Sequence, residues 1–91
     1  MDKVCRNLII RNKLGLHARA ATKLAQLTQE FESEITVQQG DQCVNAASVM
    51  CLMLLASQQG KAVEVCAEGK DAQAALDAVS TLFEDRFEED E

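Results

Sequence analysis

Asn12-Lys13-Leu14-Gly15-Leu16-His17-Ala18-Arg19 separates two different periodicities in this 91-residue chain. Upstream, Val4, Leu8 and Ile10 fall on one side of a two-residue repeat that Arg6 interrupts, which predicts a strand near Lys3 to Arg11. Downstream, Ala20, Leu24, Leu27 and Phe31 recur at helical spacing, which predicts a helix from about Ala18 to Phe31 with these residues on one face. Asn12-Lys13-Leu14-Gly15 is the break between the two, and His17, the only histidine, precedes or caps the helix. Imidazole is a nucleophile near neutral pH, and a helix N-terminus offers free backbone N–H donors to an anion. This junction is suited to hold a phosphoryl group briefly.

Beyond that helix, Ile35 and Val37 alternate with Thr36 and Gln38, and Gly40-Asp41 offers a turn before Cys43-Val44-Asn45-Ala46, which reads as a hairpin. Ser48 is an N-cap for the short apolar run Val49 to Leu55, which Gln58-Gln59-Gly60 ends. Lys61 to Glu68 alternates Val63, Val65 and Ala67 against Glu64, a fourth strand stopped by Gly69. Asp71 is placed to cap a last helix in which Ala72, Ala75, Leu76, Val79, Leu82 and Phe83 follow helical spacing to about Arg86. The order βαββαβα predicts an α+β fold, a four-stranded, mostly antiparallel sheet with three helices on one face. A chain of this length builds one domain, residues 1–91, with an acidic C-terminus expected to fray from about residue 87.

Composition narrows the function. With no Trp or Tyr and three Phe, the core must come mainly from Leu, Val, Ile and Ala. The formal charge of −6 argues against nucleic-acid binding, whose affinity depends on neutralising phosphates. Six of the nine basic residues, Lys3, Arg6, Arg11, Lys13, Arg19 and Lys23, lie in the first quarter, whereas Glu84-Asp85 and Glu88-Glu89-Asp90-Glu91 make the other end acidic. The positive end carries the histidine. No apolar run approaches the roughly 20 residues needed to span a bilayer. Cys5, Cys43, Cys51 and Cys66 form no C-x-x-C pair and have no second histidine beside them, so no metal site is expected. The opening residues contain no signal-peptide apolar stretch, so all four cysteines are read as reduced thiols in a cytoplasmic protein.

Asn12 to Arg19, together with Asn45-Ala46-Ala47-Ser48-Val49-Met50 and Ala67-Glu68-Gly69-Lys70-Asp71, resembles the histidine-containing phosphocarrier (HPr) family of the phosphoenolpyruvate-dependent phosphotransferase system. The resemblance runs over nearly the whole chain and implies the open-faced sandwich of that family. It further implies that His17 takes a phosphoryl group on Nδ1 from an enzyme I-type protein and passes it to an enzyme IIA-type protein. Arg19 is then the phosphate-stabilising side chain, through the forked pairing of a guanidinium with phosphate oxygens, and the backbone amides of Ala18 and Arg19 are neutral donors. Val49, Met50 and Met53 lie where the family presents an apolar docking patch. Ser48 aligns with a serine that some members phosphorylate for regulation, although a helix N-cap alone accounts for serine there. No cofactor is implied, and the protein is expected to be a monomer.

Two departures from the family pattern stand out. Ala20 follows the motif arginine where members commonly have proline, leaving an extra N–H donor and a freer φ in the first helical turn. The stretch from Leu24 to Gly60 contains no Lys or Arg, whereas sugar-branch carriers often carry several lysines on the docking side, which favours the nitrogen-related branch, NPr. A sugar-branch carrier and a non-transferring interaction domain are the alternatives. An autonomous ATP-dependent kinase is not expected, because the chain has no G-x-x-x-x-G-K-[ST] loop and no obvious carboxylate cluster for Mg²⁺.

Overall fold

The computed structural model describes residues 2–55 and 58–89. Its elements run β1 (Lys3–Ile9), α1 (Ala18–Thr28), β2 (Glu34–Gln39), β3 (Gln42–Asn45), α2 (Val49–Leu54), β4 (Ala62–Glu68) and α3 (Ala72–Glu84), followed by a 3₁₀ turn at Arg86–Glu88. The strands form one sheet in the order β1-β4-β2-β3, with every neighbouring pair antiparallel. This is the α+β arrangement that the alternation of periods predicts, each element differing from its expected ends by a few residues.

One face of the sheet carries the core. Ile35 and Val37 of β2 and Val63, Val65 and Ala67 of β4 are buried, as the two-residue repeat requires, and meet Ala20, Ala21, Leu24, Leu52, Ala75, Leu76 and Val79 from the three helices. Burying a side chain such as Leu24 completely contributes about 1.5–3 kcal/mol. Arg6, which breaks the apolar repeat of β1, lies on an edge strand and reaches α3. There its guanidinium donates to Ser80 Oγ (2.7 Å) and Asp77 Oδ1 (3.1 Å).

Two sequence expectations change. Asp71 stands at the N-cap position of α3 but its side chain makes no cap bond. Its carboxylate instead accepts from the backbone N–H of Glu32 and Ser33 (both 2.9 Å) and from Ser33 Oγ (2.5 Å), tying the loop before β2 to the start of α3. Gly69 admits the close approach this tie requires. At φ +147°, a Cβ there would lie 2.7 Å from Ser33 Oγ and 2.8 Å from Ser33 Cα.

Cys5 and Cys66 are not free thiols. They face each other in the β1–β4 register and form a disulfide across 61 residues of sequence, leaving Cys43 and Cys51 free. Antiparallel partners have Cβ atoms about 4.5–5.5 Å apart, a proximity that spacing along the chain does not encode. A carboxylate oxygen of Glu64 lies within 4.8 Å of both sulfurs, but sulfurs committed to a disulfide are not the thiolates that bind metals.

Within the stretch expected to fray from about residue 87, the described residues make packing contacts. Phe87 is fully buried with its ring 4.9 Å from that of Phe83, and the side chain of Glu89 is 9% exposed. An aromatic ring in an otherwise acidic tail supplies enough apolar area to hold the tail down. Asp90 and Glu91 lie outside the described residues.

Candidate functional site

The break between β1 and α1 folds as a tight turn. Gly15 N–H donates to the Asn12 carbonyl (3.2 Å), the Asn12 side-chain amide donates back to the Gly15 carbonyl (2.7 Å), and Gly15 takes φ +68°, a value glycine adopts without penalty. Leu16 is 3% exposed and anchors the following backbone in the core. His17 is then set at the N-cap of α1 in extended conformation, its carbonyl accepting the Ala21 N–H at 2.8 Å.

The imidazole makes no cap bond of its own. A side-chain acceptor at this position would satisfy an N–H of the first turn, so its absence leaves the N–H groups of Ala18, Arg19 and Ala20 without intrahelical partners. Their dipoles point at the region beside the ring, which gives it partial positive character. Arg19 adds a full charge on a largely exposed side chain, and Lys23 stands one turn further on. No acidic residue lies in the first turn of α1 to oppose them.

The charge that does oppose them comes from the other end of the chain. Glu89 Oε2 lies 2.5 Å from His17 Nε2 and 3.6 Å from Arg19 Nε, while Glu89 Oε1 accepts from Asn12 Nδ2 at 3.0 Å. Lys23 Nζ donates to the Phe87 carbonyl (3.0 Å) and pairs with Glu88 (3.3 Å), holding the preceding residues. Burial disfavours the charged form of Glu89, but the hydrogen bonds from Asn12 and His17, with the charges of His17 and Arg19, outweigh it and hold the carboxyl below its ordinary range. Sequence reasoning treated Asn12 as part of a turn and Glu89 as solvated tail. No local pattern marks either as a neighbour of His17, because the Glu89 contact spans 72 positions.

The remaining candidates lie on a different element. Ser48 caps α2, its Oγ accepting the Cys51 N–H at 3.2 Å. Leu52 and Leu55 turn into the core and Val49 is half-buried, whereas Met50 is 74% and Met53 45% exposed. Leu54, 71% exposed, extends that apolar surface and was not singled out from sequence. Helix α2 packs on α1, so the structure joins His17, Arg19 and the first-turn amides in one cluster and sets Ser48, Val49, Met50 and Met53 on the neighbouring helix.

With this geometry, comparisons with known proteins agree in sequence and in shape. The family model described as the PTS HPr component phosphorylation site matches residues 4–85. The chain is 51% identical over 89 residues to phosphocarrier protein NPr of Shewanella violacea, covering 98% of each chain. It is 49% identical over 83 residues to phosphocarrier protein HPr of Xylella fastidiosa, covering 91% of this chain and 93% of that one. Among solved structures, HPr-C-His from Thermoanaerobacter tengcongensis superposes with a TM-score of 0.90 at 40% identity, covering both chains completely. The chain belongs to the HPr family of phosphocarrier proteins of the phosphotransferase system.

Proposed function

We propose that this chain is the phosphoryl carrier of a nitrogen-related phosphotransferase relay, loaded on His17 Nδ1 by an enzyme I-type protein and unloaded by an enzyme IIA-type protein. The observation that carries the reading is a histidine at the N-cap of α1 that leaves the first-turn N–H groups unspent, inside the segment by which the family is recognised. Phosphoryl transfer asks the protein mainly for positioning and for stabilisation of charge on the transferring oxygens. The amides of Ala18 and Arg19 supply fixed neutral donors, and the guanidinium of Arg19 supplies a forked pair.

Val49, Met50 and Met53 form the partner-docking surface in this reading, methionine being adaptable to more than one partner. A phosphate on Ser48 would add negative charge at that surface and so regulate docking. The carrier acts as a cytoplasmic monomer without a cofactor, and among the described residues no helix is long and apolar enough to cross a membrane. The nitrogen branch is supported by 51% identity to an NPr and by the absence of Lys and Arg from Leu24 to Gly60. Identity of 49% to a protein named HPr supports a second reading, a carrier loaded by a sugar-branch donor.

Incubation with phosphoenolpyruvate and either the nitrogen-type or the sugar-type enzyme I, followed by intact mass, tests both. The expected result is one acid-labile phosphate, lost in His17→Ala, that forms faster with the nitrogen-type donor. Faster loading by the sugar-type donor establishes the second reading. Binding to a partner without loading by either donor establishes a non-transferring interaction domain.

A further inference from the structure

The C-terminal turn returns the chain to the site it left 72 residues earlier. After α3, Arg86, Phe87 and Glu88 take φ values of 53°, 55° and 63°, a left-handed run that L-residues adopt only when contacts hold them there. The contacts are the burial of Phe87 against Phe83 and the grip of Lys23 on the Phe87 carbonyl and the Glu88 carboxylate. Their consequence is the placement of Glu89. Its side chain is 9% exposed, and both of its oxygens are engaged, one by Asn12 and the other by His17 with Arg19 alongside.

We infer that Glu89 is a positioning residue for His17, fixing the ring in the tautomer that leaves Nδ1 as the nucleophile and offsetting the positive charge the ring carries while phosphorylated. This rests on the carrier reading above. A carboxylate can only accept, so the 2.5 Å contact requires the hydrogen to sit on Nε2, and in the neutral ring this leaves the lone pair on Nδ1. The Nδ1 pair forms the new N–P bond while the P–N bond of the phosphorylated donor breaks and its electron pair returns to the donor nitrogen. The ring keeps its Nε2 hydrogen and gains a positive charge, next to the Glu89 carboxylate. On delivery the N–P bond breaks, the pair returns to Nδ1, and a neutral imidazole leaves without any proton having moved. Asn12 steadies the carboxylate from its other side, and its own amide is locked to the turn before His17 through the Gly15 carbonyl. The nucleophile and its partner are therefore held by the same turn.

The test compares the full chain with Glu89→Ala and Glu89→Gln, with Glu84→Gln as a surface control and urea midpoints to establish folding. In the unphosphorylated proteins at about pH 8.5, where an ordinary imidazole is neutral, ¹⁵N spectra of His17 read the tautomer directly. The expected result is a single Nε2–H form in the unmodified chain, Glu89→Gln and Glu84→Gln, and a mixture of both forms in Glu89→Ala. Single-turnover transfer from the phosphorylated donor to the carrier, the step in which the ring gains its positive charge, is expected to fall about tenfold in Glu89→Ala, with Glu89→Gln in between because it keeps the acceptor and loses the charge. Unchanged ¹⁵N shifts in a folded Glu89→Ala overturn the inference, as does an unchanged transfer rate. The ¹⁵N measurement needs no phosphate donor, so failure of the carrier reading appears separately, as an unmodified chain that shows the tautomer shift on substitution and yet takes no phosphate.

Discussion

Lysine at position 19 would keep the charge beside His17 and lose the fork. The side chain of Arg19 is 64% exposed and, among the described residues, its guanidinium is met by Glu89 at 3.6 Å, a loose approach that leaves it able to turn onto a phosphoryl group at Nδ1. Two parallel N–H···O bonds to phosphate oxygens are available to arginine and unavailable to an ammonium, which acts as a point charge. Arg19→Lys is therefore expected to leave the urea midpoint unchanged and slow His17 phosphorylation about tenfold, the rate equivalent of losing about 1.4 kcal/mol in the transition state. Stopped-flow or quench-flow loading from a phosphorylated donor checks this. Equal rates for the two residues would show that charge alone is used. At this scale the sequence was informative because His17, Ala18 and Arg19 are contiguous and their helix start is written in the periods on either side. Asn12 and Glu89 escaped because their importance lies in what they touch.

The link between Asp71 and the loop before β2 shows what element-level patterning can and cannot convey. Helical spacing located α3, and an aspartate ahead of it reads as a cap, yet its carboxylate is spent on Glu32 and Ser33 of another connection. The bond from the Ser33 hydroxyl and the one from Glu32 N–H, with that of Ser33 N–H, outweigh burial and lower the Asp71 carboxyl below its ordinary value. A depressed carboxyl contributes stability that is complete above the unfolded-state value, about 3.9 for aspartate, and disappears as pH falls through the folded value. Asp71→Asn is thus expected to lower the urea midpoint at pH 7. The gap between the two proteins should stay constant down to about pH 5 and narrow below about pH 4. Urea titrations at successive pH values measure it, and a gap that does not depend on pH would show the hydrogen-bond geometry rather than the charge to be responsible. Strand and helix positions were legible because periods of 2 and 3.6 are local properties. The use of Gly69 to let Ser33 approach was not, since a glycine that ends a strand looks the same whether it makes a turn or admits a neighbour.

At the scale of the whole molecule, the sheet order β1-β4-β2-β3 sets both long-range contacts that sequence reading missed. It lays the first strand beside the fourth, which brings Cys5 to Cys66, and it leads α3 back over β1 so that residues 87–89 arrive near the start of α1. The two ends are also opposite in charge, six of nine basic residues in the first quarter against a run of carboxylates at the other end, and Lys23–Glu88 and Arg19–Glu89 realise that polarity as contacts. Alkylation of the denatured chain without reductant is accordingly expected to label two cysteines, Cys43 and Cys51, and four after reduction. Four labels without reductant would restore the thiols expected from sequence. The tail offers a sharper experiment, because one ring controls it. Phe87 is fully buried, and it holds three consecutive left-handed residues in place, at a conformational cost of roughly 1–2 kcal/mol each. Removing the ring in Phe87→Ala is expected to destabilise the fold by about 3–5 kcal/mol if the cavity persists. The tail can instead detach and fill no cavity, in which case the loss is smaller and Glu89 leaves His17. The two responses separate in one pair of measurements, the urea midpoint and the exchange rates of the Glu88 and Glu89 amides, which the turn protects through bonds to Asp85 and Arg86. Detachment is the expected response, with amide protection lost at residues 88 and 89 while α3 keeps its own, because the ring is the only large apolar group among the described residues beyond Phe83.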